Sequence, residues 1–306
     1  MFESAVDAIV NGDYVELKRL LAGHPELAHA RSSREHRSTL LHFVSANGVE
    51  DFRQKTPPNI VEIAKLLLEA GADVNAESDA YGGRQTTLGL TATSCHPEAA
   101  GVQIALMTLL IEHGAIIDVS EPGIGVNACL RNGRFAAAEF LSTRGGALDL
   151  EGAAGLGRLD IVRGHFDENR HLRPPATERQ LKAGFAWACE YGQVGVVEFL
   201  LQHGVAADAK AGFGGETGLH WAGFTGNAEL VKLLLEHGAP LDVRDERYGG
   251  TPLEWTIYGR KTAKPGARLE GFEQSVALIE DAWLRDKKRG PEGPPLLSDD
   301  LKPLLE

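Results

Sequence analysis

The chain has 306 residues, 43% of them hydrophobic and 24% charged, which is enough apolar material for a sizeable folded core. Acids outnumber bases 43 to 31, giving a formal net charge of −12. Without a lysine- or arginine-rich stripe there is little counterion release to gain on a polyphosphate, so DNA, RNA and anionic membranes are not expected as partners.

In chain order, the first stretch, Met1 to Ala30, reads as a polar-faced pair of helices turning at Asn11, Gly12 and Asp13. It carries acids where a signal peptide has bases, and no later apolar run approaches the ~20 residues of a membrane span. A cytoplasmic protein is therefore expected. From Thr39 a second pair opens with T-L-L-H and closes with an amphipathic run, Ile63 to Asn75, interrupted by an insertion at 50–58. A third pair runs from Thr86 to Asp118 with a shorter insertion near Pro97 to Gly101. Two compact pairs follow, with turns at Asn132-Gly133 and Leu156-Gly157, then a proline-bearing stretch around Arg173 where an ordinary helix cannot continue. The sixth pair starts near Phe185. The seventh, Glu216 to Asp242, is the clearest copy: E-T-G-L-H-W-A-G-F-T-G-N-A-E-L-V-K-L-L-L-E-H-G-A-P-L-D. The eighth begins Thr251-Pro-Leu-Glu254, carries an insertion at 261–271, and ends with a helix to about Arg285. Residues 286–306 read as a tail.

Each second helix places apolar residues at i, i+3 and i+4, as in Leu230, Leu233 and Leu234. Each then ends at a glycine (Gly71, Gly114, Gly204, Gly238) where a left-handed residue is needed. The histidine just before it (His113, His203, His237) is read as a donor to last-turn carbonyls, not as a metal ligand. Cys95, Cys129 and Cys189 show no metal-ligand spacing and are expected as reduced thiols at small core positions.

These units resemble the ankyrin repeat, whose signature is T-P-L-H-x-A in about 33 residues. The resemblance covers roughly residues 1–285. It implies an all-α fold, a helical solenoid of about eight repeats with short hairpin fingers, and a bend is expected near 164–178. It also implies that the motif histidines, His42 and His220, bond neighbouring repeats and are not catalytic.

In ankyrin proteins two residues of each first helix, four and seven positions after the motif threonine, point into a concave groove. The first frame position holds Phe43, Leu90, Ala128, Gly152, Trp187, Trp221 and Trp255; the second holds Ala46, Thr93, Arg131, Gly155, Glu190, Phe224 and Tyr258. Trp187, Trp221, Trp255, Phe224 and Tyr258 are therefore expected to form an aromatic wall. Gly152 and Gly155 would leave a hollow beside it, flanked by Arg131 and Glu190. Core positions of the same helices hold Ala188 and Ala222, one residue out of phase with the tryptophans. An inter-repeat aromatic stack is the structural alternative.

Nothing resembles a nucleophile elbow, a phosphate loop or a zinc-binding H-E-x-x-H motif, so neither a cofactor nor a metal is expected. The leading expectation is a non-enzymatic module that binds a protein or peptide in the groove. The alternative is a small apolar or cationic ligand, or an enzyme acting on one, in the aromatic hollow with Glu190 or Glu254 as the working acid.

Overall fold

The structure, a computed structural model, describes residues 1–48, 50–117, 125–210, 214–263 and 269–286. The expected tail from 287 on, the middle of the 261–271 insertion and Asp118 lie outside the described residues. The chain divides into two compact units, Met1–Leu148 and Asp149–Glu306. Both are built almost entirely from paired helices. Among the described residues the only named strands are the two-residue partners β1 (Glu77–Ser78) and β2 (Gln85–Thr86) of one finger.

The first unit contains α1 (Phe2–Asn11) and α2 (Tyr14–Gly23), a 3-10 stretch over Leu40–Ser45, and α3 (Ile60–Glu69). It continues with α4 (Thr87–Thr93), α5 (Cys95–Ala99), α6 (Gln103–Glu112), α7 (Val126–Arg131) and α8 (Phe135–Thr143). The second contains α9 (Leu150–Gly155), α10 (Leu159–Gly164), α11 (Glu178–Glu190) and α12 (Val194–Gln202). It closes with α13 (Gly218–Phe224), α14 (Ala228–Glu236), α15 (Pro252–Thr262) and α16 (Glu270–Arg285).

Helix α14 shows why this sequence folds this way. The Asn227 side chain accepts the Leu230 N–H at 3.0 Å, capping the first turn. Leu230, Val231 and Leu234 form the buried stripe. At the other end Gly238 takes φ 79°, and the Ala239 N–H reaches back to the Leu234 carbonyl at 3.0 Å. His237 donates its Nδ1–H to the Leu233 carbonyl at 2.9 Å, and His113 and His203 do the same at Leu109 and Phe199.

The first helices open on a reciprocal cap. In Thr217/His220 the backbone N–H of Thr217 donates to His220 Nδ1 at 3.1 Å, and His220 Nε2–H donates onward to the Gly250 carbonyl of the next finger at 3.1 Å. Thr39/His42 repeats this in the first unit, its Nε2–H reaching the Gln85 carbonyl at 3.0 Å. Burial, the dominant cause, holds the His42 ring neutral down to about 4.

The structure departs from the sequence expectations in four places. The first helix of the second pair is a 3-10 stretch, stopped by Ala46 at φ 45°. The insertion near Pro97 is itself a short helix, α5. Cys95 at its start is exposed, whereas Cys129 and Cys189 are buried as expected. The insertion at 50–58 is not loose: its Arg53 is buried and bonds Glu3 at 2.5 Å, Asp7 at 2.9 Å and Glu50 at 3.1 Å.

Candidate functional site

In the second unit, α13 and α15 approach closely because each carries a glycine where it meets the other helix. A Cβ on Gly259 would fall 2.2 Å from the Phe224 carbonyl oxygen, and one on Gly223 would fall 2.1 Å from Thr256 Oγ1. That approach brings the aromatic residues of the two helices into edge contact. Trp221 and Trp255 meet at 5.2 Å between centroids, crossing at 80°. Phe224 sits 6.1 Å from Trp221 and 5.7 Å from Trp255, both edge-on, and stacks on Tyr258 at 6.4 Å. Such pairs contribute about 0.5–1.5 kcal/mol each beyond area burial, so the cluster is rigid. Ala188 and Ala222 are fully buried while Trp187, Trp221 and Trp255 remain half-buried.

The finger before α15 completes the wall. Asp245, itself buried, accepts the Trp255 Nε1–H at 3.0 Å. It also accepts the backbone N–H groups of Tyr248 at 2.6 Å, Gly250 at 2.8 Å and Arg247 at 2.9 Å. Burial pushes this carboxyl up, but these donors outweigh it and hold the carboxyl below its ordinary value. The Trp255 ring lies over the bare α-carbon of Gly250, where a Cβ would come within 2.9 Å. The result is a pocket of about 390 Å³ lined by Trp221, Phe224, Trp255, Tyr248, Tyr258 and Glu216, with Arg247, Gly250 and Glu254 completing it. Tyr258 and Tyr248 are exposed at its rim.

Of the residues singled out in the sequence, Trp221, Phe224, Trp255 and Tyr258 come together here. Trp187 lies on α11 and makes no ring contact with them among the described residues. Arg131 belongs to the first unit, exposed at the end of α7. Glu190 ends α11 and does not line the pocket; burial first, and the Glu216 charge second, push its carboxyl up to about 7. Gly152 and Gly155 are buried and not bare, so the space lies between α13, α15 and the finger, not beside α9. Glu254 is committed to structure: its Oε2 accepts the Thr251 N–H at 2.6 Å and faces Arg244 at 3.4 Å.

Sequence reasoning missed Glu216, Asp245, Arg247 and Tyr248. The signal was the acidic residue ahead of the Gly-Gly finger tip, an Asx-turn former placed where a bonded indole follows ten residues on. It also missed a cluster in the first unit. There Ser38 Oγ lies 2.8 Å from His36 Nδ1, and His36 Nε2 lies 3.1 Å from Glu50, which also pairs with Arg34 and Arg53. The order of groups is that of a hydrolytic triad. However, Ser38 is buried beside a space of about 20 Å³, room for a water and no substrate. Its work is to tie the insertion to the finger.

Family models match the chain in two stretches: ankyrin repeats in three copies over residues 185–264, and a single ankyrin repeat over 36–79. The chain contains ankyrin repeats. The first match contains α13, α15 and the finger between them, so the pocket is built wholly from ankyrin repeats. Among solved structures, the human ASB11 ankyrin repeat domain is similar at 22% identity, over 90% of this chain and 97% of that one, with a TM-score of 0.43. Comparison with curated proteins finds no match. Ankyrin repeats generally mediate protein–protein interaction. No helix among the described residues is long and apolar enough to cross a membrane.

Proposed function

We propose that the protein is a recognition module that binds a protein segment or peptide at the aromatic pocket of its second unit. One observation carries the reading: five aromatic rings border an open pocket, and they are held rigidly by a buried carboxylate and by helices in close approach. Pre-organised aromatic anchors are the residues that dominate interface energetics, because they give large contact area at little cost in ordering. A volume of about 390 Å³ also suits a small molecule. Against catalysis there, Glu254 is engaged in capping and Glu190 does not line the space.

The test is selection of a random dodecapeptide display library on the full chain. Selected peptides are expected to quench tryptophan fluorescence and to bind Trp221→Ala at least about thirtyfold more weakly, the ~2 kcal/mol of a lost anchor. Val15→Ala, a change at an exposed site in the first unit, should leave them unaffected. Peptides indifferent to Trp221 would overturn the reading.

A further inference from the structure

The pocket's aromatic faces are only half of its chemistry. Glu216 stands in its wall with a residue exposure of 8%, and its carboxylate has no hydrogen-bond or ion-pair partner among the described residues. Its carboxylate folds over the α-carbon of Gly214, where a Cβ would come within 2.4 Å of Oε1. With no donor among the described residues, its oxygens keep their contact with the solvent of the pocket, and that is the contact a positively charged group entering the pocket would replace. Two acids around the pocket are compensated, Asp245 by four donors and Glu254 by Thr251 and Arg244; Glu190, outside the lining, is instead pushed up by burial and by the charge of Glu216 itself. The basic group in the lining, Arg247, is exposed. Its guanidinium sits 5.4 Å from the Tyr248 ring centroid and makes no ion pair with Glu216.

Resting on the recognition reading above, we infer that the pocket receives a basic side chain of the partner, a lysine ammonium or arginine guanidinium, ringed by Trp221, Trp255 and Tyr258 and neutralised by Glu216. The negative faces of aromatic rings attract a cation most strongly when it is desolvated. Arg247 over Tyr248 shows that the same wall already holds a guanidinium on an aromatic face. The apolar stem of lysine or arginine would lie along the indoles while its charged end reaches the carboxylate. Arg247 then acts as a competitor at the rim, repelling the incoming cation.

The dodecapeptide selection tests this through the composition of its pool. Trp221-dependent peptides should share a lysine or arginine. Replacing it with norleucine, which keeps the stem and removes the charge, should weaken binding at least about tenfold. Glu216→Gln, which removes no fold-maintaining bond, should erase most of that preference, and Arg247→Ala should tighten binding severalfold. A pool that needs Trp221 but tolerates norleucine overturns the cation inference and leaves the recognition reading standing. A pool rich in aspartate or glutamate that weakens with Arg247→Ala overturns it in favour of an anionic partner. A pool indifferent to Trp221, or no enrichment at all, overturns both. Circular dichroism of Trp221→Ala, with Trp221→Phe as the conservative variant, separates loss of the ring from loss of fold.

Discussion

Replacing Glu190 by glutamine should stabilise the protein, and by an amount that depends on pH. In the folded chain burial and the Glu216 charge raise this carboxyl from 4.5 to about 7. Below pH 4.5 folded and unfolded chains both hold the proton, and the group costs nothing. Between 4.5 and 7 the unfolded chain ionises and the folded one does not, so native stability falls by about 1.4 kcal/mol per pH unit. Above 7 the loss levels off. Fully applied, the shift corresponds to roughly 3 kcal/mol. Glu190 is partly exposed, and solvent screening brings the expected plateau to about 2 kcal/mol. Glutamine has the same shape and no charge, so the gap between variant and wild type isolates this one titration. Asp245, Asp167 and Glu50, whose carboxyls are held low, titrate alike in both chains and cancel. Urea melts at pH 4.5, 6, 7 and 8 should show the gap opening from near zero to about 2 kcal/mol. A gap that does not change with pH, or a glutamine variant less stable at pH 8, would refute the placement of Glu190.

Gly259→Ala should cost about 1–3 kcal/mol, because a methyl there meets the Phe224 carbonyl; the tryptophan emission maximum should move with it as the pocket opens. Leu234→Ala, at a fully buried position, should cost roughly 2–5 kcal/mol in denaturant melts, against about ±0.5 for Val15→Ala at an exposed one. His42 stays neutral to about 4 when folded, while the unfolded ring gains its proton near 6.5. Its contribution is therefore present above pH 6.5 and is lost as pH falls toward 4. A His42→Gln variant, compared with wild type across that window, should lack up to roughly 3 kcal/mol of the acid sensitivity.

Most of the helix pairing was legible in the sequence because its punctuation is local. Glycines needed at positive φ, threonines that cap, and apolar residues at helical spacing each act within a few positions of themselves. The aromatic cluster was legible in part for the same reason, since Trp221 and Trp255 recur at one frame position. What escaped depended on contacts set by the fold. The pocket's location follows from Gly223 and Gly259 letting α13 touch α15, which no periodicity announces. Glu216 matters because of what does not pair with it. The insertion at 50–58 was legible as an insertion but not as a packed one, in which Gln54 bonds the Gly48 carbonyl at 2.5 Å and meets His96 at 3.2 Å. Long-range polar partners of that kind leave no local trace.

His42 and His220 each accept a backbone N–H on Nδ1 and donate from Nε2 to the following finger. Only the neutral ring with its proton on Nε2 can do both, so each imidazole is locked in a single tautomer. A proton held that way, away from water, exchanges slowly and should give its own line far downfield in a proton spectrum. One of these rings sits in each of the two units. The protein therefore carries a built-in pair of indicator lamps: as denaturant or acid is raised, the line that goes dark first names the half of the chain that has let go.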